Sequence, residues 1–107
     1  MNPTEAFEES RRALALSRQI GDISCICFAL RILADNSLRL HPDNPSAAFQ
    51  LCDQAIEMAK KAGDLPGIAW GWGERMTLRI TMGDRVNFFD ECRKTFETIE
   101  RIRDLSG

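Results

Sequence analysis

The chain has 107 residues, enough for one domain with a modest core, and its 44% hydrophobic and 28% charged residues are those of a folded chain rather than a disordered one. The formal net charge is -2, with 14 basic and 16 acidic residues intermingled, so no basic stripe is offered to a phosphate backbone and this segment is not expected to bind nucleic acid. No apolar run approaches the roughly 20 residues of a membrane span, and Met1-Asn2-Pro3-Thr4-Glu5 lacks the basic and apolar stretches of a signal peptide, so the expected setting is cytoplasmic, with no membrane partner.

Apolar periodicity predicts five helices and no strand. The first is expected from about Thr4 to Ile20, with Thr4 as its N-cap, acidic Glu5, Glu8 and Glu9 at its positive end, and Gly21 as its stop. The second runs from about Asp22 to Leu40 on a stripe of Ile23, Ile26, Leu30, Leu33 and Leu38, and ends at His41-Pro42-Asp43-Asn44-Pro45. Asn44 is then expected to cap a third helix with Pro45 at its first position, ending at Gly63. The fourth covers about Leu65 to Met82 and the fifth about Arg85 to Asp104; such short connections place neighbouring helices antiparallel. Gly67, Gly71 and Gly73 each cost the fourth helix about 1 kcal/mol relative to Ala, so they are expected to permit close backbone approach beside Trp70 and Trp72, the alternative being a frayed or kinked first turn near Pro66.

Catalytic chemistry is sparsely provided. His41 is the only histidine, sits between loop residues, and has no Ser placed as a nucleophile. Cys25, Cys27, Cys52 and Cys92 fall within helical patterns, form no C-x-x-C, and are read as buried free thiols; Cys25 and Cys27 point about 200° apart and cannot clamp one ion. The glycines do not form a phosphate-binding motif. Glu8/Glu9 and Asp90/Glu91 have Arg or Lys three or four places away (Glu8 with Arg12, Asp90 with Arg93 and Lys94) and read as salt-laced surface. The expectation is a non-enzyme with no catalytic residues, no metal and no cofactor.

The strongest pattern is internal. Ala6-Phe7 to Gly21-Asp22 reappears 42 residues later as Ala48-Phe49 to Gly63-Asp64, keeping Ala13/Ala55, Leu14/Ile56, Leu16/Met58, Ser17/Ala59 and Arg18/Lys60 in step. A weaker copy at a shift of 40 pairs Cys52 with Cys92, Ile56 with Phe96 and Ala59 with Ile99. A period of this length indicates stacked supersecondary units. The small residues Ala6 and Ala13, then Ala48 and Ala55, the apolar Leu14 and Ile56 after them, the series Leu30, Leu33, Ala34, Ser37, and Trp72 together resemble the tetratricopeptide repeat. The period exceeds that family's usual value of about 34, so the likeness is to the long-helix variety with Gly-Asp turns found in bacterial regulators and signalling ATPases or cyclases. In the last unit Phe88 and Thr95 stand at the small positions, and Arg75, Met76 and Arg79 replace the apolar-small series.

That resemblance implies an all-α fold, residues 1-107 as one domain of about two and a half repeats, with the five helices wound as a right-handed superhelix. It implies a non-catalytic scaffold for a protein or peptide partner, part of a regulatory protein or self-associating. The alternative is a sensor domain of a regulator or signalling enzyme that takes a small molecule or signalling peptide. The family's groove positions fall on Phe28, Arg31, Asp35, Leu38 and Arg39 of the second helix and Trp70, Gly73, Thr77, Ile80 and Thr81 of the fourth. Arg31 and Arg39 could grip a carboxylate, or form a salt ladder with Asp35 between them; Trp70 could stack on an apolar side chain, and the Phe28/Trp70 equivalence also fits a shared core role. The last helix carries Val86, Phe88, Phe89, Cys92, Phe96, Ile99 and Ile102, more than one neighbour can cover. Phe88, Phe89, Phe96 and Ile99 are therefore expected either to face another part of a longer protein or to pair two copies as a homodimer.

Overall fold

A computed structural model describes residues 1–106. Five helices follow one another, α1 Pro3–Ile20, α2 Ile23–Leu40, α3 Ser46–Lys61, α4 Leu65–Met82 and α5 Arg85–Ser106, and there is no strand among the described residues. The chain is all-α.

Side-chain caps set most of the starts. Asn2, not Thr4, caps α1: its side-chain oxygen accepts from the Glu5 N–H at 2.9 Å, and Pro3 takes the first helical position, where its missing N–H costs nothing. Asp22, Asp64 and Asp84 do the same for α2, α4 and α5, accepting from the N–H groups of Cys25, Gly67 and Asn87. The start of α3 differs from expectation. Pro45 sits at the cap without a side-chain bond, and Asn44 instead accepts from the Ser46 hydroxyl at 2.9 Å. Gly21, Gly63 and Gly83 hold φ of 79°, 68° and 74° at the turns, a left-handed backbone that a Cβ would strain.

Each helix packs on its neighbours in sequence, and α2 also meets α4. Among the described residues α1 leans on α2 alone and α5 on α4 alone. The result is a slab 43 × 37 × 19 Å, about two helices thick. Its core is divided into three successive clusters. Leu14, Ile26, Cys27, Ala29, Leu30, Leu33 and Ala55 join α1, α2 and α3; Ala34, Leu38, Ala48, Phe49, Cys52 and Leu78 join α2, α3 and α4; Ile56, Ala59 and Ile68 join α3 and α4.

The 42-residue repeat is visible in this packing. Leu14 shares a cluster with Ile26, and their equivalents Ile56 and Ile68 share another. Gly71 also has its reason: a Cβ there would run into the Ile56 side chain, so the missing methylene brings α4 close to α3. A Cβ on Gly67 would meet the capping Asp64 carboxylate, whereas Gly73 faces open space and has no packing role.

Arg75 and Arg79 of α4, which stand where α2 has Leu33 and Ser37, are accommodated by charge. Glu91 of α5 is 2% exposed and accepts from Arg75 Nε at 3.1 and 3.2 Å. Arg75 Nη1 continues to Asp53 of α3 at 2.7 Å. Arg79 lies 3.5 Å from Glu91 through Nε, a distance that suits an ion pair although the N–H is not aligned for a hydrogen bond, and it reaches Asp84 at 3.2 Å. Both guanidinium groups lie over the Phe49 ring, at 4.9 and 4.0 Å. Glu91 is thus a buried bridge and not the solvated surface residue that its spacing suggested. Burial also corrects the reading of the thiols: Cys27 and Cys52 are buried, Cys92 is half-buried beside Met76, and Cys25 is exposed.

Candidate binding groove

The side chains that α2 and α4 turn outward at their shared edge converge on one cationic group. Phe28 and Trp70, 42 residues apart in sequence, are 57% and 63% exposed, so neither serves the core. Arg31, one turn beyond Phe28, places its guanidinium 5.3 Å from the Phe28 ring and 4.9 Å from the Trp70 ring. With Ser24, Cys27, Asp64, Pro66 and Gly67 these residues line a cleft of about 350 Å³ open to solvent. The glycine at 67 leaves room there that a larger residue would fill.

The next turn is more polar. Asp35 and Arg39 pair at 3.0 Å, an i, i+4 bridge worth only a few tenths of a kcal/mol at this exposure. Arg31 forms no ion pair with Asp35, so the three charges do not make a ladder; the aromatic rings hold Arg31 instead. Glu74, one turn beyond Trp70, comes under the influence of these same charges. Its Oε2 is buried without a hydrogen-bond partner. Burial, reinforced by the negative charge of Asp35 and opposed by Arg31 and Arg39, pushes its carboxyl up to about 7. Glu74 was absent from the residues inferred from sequence; its signal was its place four residues after Trp70, on the same helical face.

The other groove positions separate. Leu38 is 3% exposed and belongs to the core with Ala34, Ala48 and Leu78, so it cannot meet a ligand: its place on the α2 stripe turns it toward α3. Thr77 and Thr81 are exposed, but their hydroxyls donate to the carbonyls of Gly73 and Thr77 in the turn before. Ile80 lines a different cleft of about 520 Å³, with Arg79, Phe88 and Phe89 among its walls at the α4–α5 turn. On α5, Phe89, Phe96 and Ile99 are exposed and Phe88 is half-buried with its ring 5.5 Å from that of Phe89. Trp72 is half-buried against the Ile56–Ala59–Ile68 cluster, with Lys94 Nζ 4.6 Å from its ring.

His41 ends α2, exposed, with its ring edge-on to Phe7 at 6.0 Å. Among the described residues no group of three or more His, Cys, Asp or Glu side chains is placed to hold a metal ion, and no helix is long and apolar enough to cross a membrane. No protein-family model, curated protein or solved structure matches this chain.

Proposed function

We propose that the chain is a non-catalytic recognition module, a tetratricopeptide-like stack of antiparallel helices forming a right-handed superhelix, that binds a protein or peptide along the α2–α4 edge. The observation that carries this reading is the exposed cluster Phe28, Arg31 and Trp70 at the mouth of the cleft. Two exposed aromatic rings and a guanidinium bury much area for little lost freedom, which is the composition of an interface hot spot. The α2–α4 contact and the recurrence of Leu14–Ile26 as Ile56–Ile68 support the stacked-repeat arrangement.

The openness of the cleft favours a protein or peptide over a small molecule, because small-molecule sites enclose most of their ligand. An incoming chain would lay an apolar side chain against the exposed Trp70 ring. The exposed Phe89, Phe96 and Ile99 of α5 form a second apolar face, the proposed self-association surface.

Selection of a displayed peptide library against the purified chain tests this reading. Enriched peptides are expected to bind saturably and to lose at least tenfold in affinity when Phe28, Arg31, Arg39 and Trp70 are all replaced by Ala. Peptides that bind this variant unchanged would place recognition elsewhere on the molecule.

A further inference from the structure

A second groove lies between α1 and α2, lined by Ala13 and Ser17 of α1 and Cys25, Phe28 and Ile32 of α2, with a volume of about 400 Å³ and almost no polar surface. Its counterpart 42 residues on is covered along the α3 side and stays open only at the cleft beside Gly67 and Trp70. There Ala55 takes the place of Ala13, Gly67 that of Cys25 and Trp70 that of Phe28, and the occupant is α2 itself. The Cys27 thiol reaches the Ala55 carbonyl, Leu30 shares the cluster of Ala55, and Arg31 lies over Trp70. Burial records the difference: Ala55 is 1% exposed, whereas Ala13 is open to solvent.

We propose that the α1–α2 groove is a docking site for an amphipathic helix of a partner protein, seated as α2 is seated on α3 and α4. The occupied copy defines the chemistry of that helix. α2 presents Cys27, Leu30, Ala34 and Leu38 to its seat, all buried, and Arg31 to the aromatic ring at its edge. The partner helix accordingly carries small or apolar side chains at i, i+3, i+7 and i+11, and a basic one at i+4 that stacks on Phe28. A helix of 18 residues would run about 27 Å along the seat. A second copy fits this seat poorly: the matching faces of its α2 and α4 are already covered by their neighbours, and the exposed face of its α5 carries the bulky Phe89 and Phe96 where the seat takes the slimmer Cys27, Leu30, Ala34 and Leu38. This site adjoins the α2–α4 cleft, sharing Ser24 and Phe28 with it, but is not lined by Arg31 or Trp70.

The test uses α2 as its own probe. A fluorescein-labelled peptide of residues 23–40, carrying Cys25→Ser and Cys27→Ala to prevent oxidation, is titrated with the intact chain and followed by anisotropy. Saturable binding is expected, weakened at least tenfold by Ala13→Arg or by Ser17→Arg in the protein, and equally by Leu30→Asp in the peptide. Circular dichroism and the urea midpoint of both protein variants should match the parent, because Ala13 is exposed and Arg is a good helix former. Absence of saturable binding, or binding indifferent to both arginines, would overturn the proposal. So would self-association of the unlabelled chain that Ala13→Arg abolishes, which would put a second copy in the groove. Arg31→Ala with Trp70→Ala, tested in parallel, reports on the α2–α4 reading alone.

Discussion

Glu91 holds its charge where almost no water reaches, and two arginines on α4 make that tolerable. Removing it leaves Arg75 and Arg79 with only Asp53 and Asp84 as partners, so Glu91→Ala is expected to lower stability by about 3 kcal/mol, the low end for a broken buried pair, read as a fall in the urea midpoint at neutral pH. Glu74 has the opposite character, a half-buried carboxylate with one oxygen sealed from solvent and unbonded. Its folded pKa is raised from 4.5 to about 7, so the native state binds the proton more tightly than the unfolded chain. The stabilisation that goes with the proton is present below 4.5 and is lost as pH rises through about 7. Glu74→Gln should therefore stabilise the protein more at pH 8 than at pH 5, measured by denaturation of both proteins at the two values. Equal effects at both would show that Glu74 titrates normally.

The glycines of α4 show how far an element is decided by its neighbours. Gly71→Ala drives a methyl group into Ile56 and should destabilise by about 1 kcal/mol or more, overpacking outweighing the gain in helix propensity. Gly73→Ala meets nothing and should stabilise by up to about 1 kcal/mol. Opposite signs from thermal unfolding of the two variants would confirm that only one of these glycines is a packing residue. Helix number and approximate bounds were legible in the sequence because Gly, Pro and Asp mark local breaks that need no tertiary context. The choice of Asn2 over Thr4 was not, since both residues can cap and Pro3 decides between them. That Phe28 and Trp70 share an edge was legible from their 42-residue spacing, and Arg31 from its place one turn beyond Phe28. Leu38 was misplaced because a helix turn admits both inward and edge positions, and Glu91 because a buried salt bridge between helices leaves no local signature.

At the scale of the whole molecule, packing by adjacency grades the stability along the chain. α1 and α5 each rest on a single neighbour, whereas α2 is held by α1, α3 and α4, so hydrogen exchange should be fastest in α1 and α5 and slowest in α2. Self-association through α5 predicts a solution mass of two chains by light scattering at high concentration, returned to one chain by Phe89→Glu with Phe96→Glu. A repetitive chain also faces a hazard that other folds escape, because a helix can settle against the wrong copy of its partner. Ser10 and Asn36 bear on it. At the α1–α2 seam they join polar to polar, the Asn36 amide donating to the Ser10 hydroxyl at 2.6 Å, while at the equivalent place Cys52 and Leu78 bury sulfur and hydrocarbon together. A slip of one repeat would set Asn36 against Cys52, stranding its amide, whereas the Ser10 hydroxyl would keep its bond to the Ala6 carbonyl of its own helix. This one exchange of polarity works as a proofreading mark, by which each helix distinguishes its own partner from the copy next door.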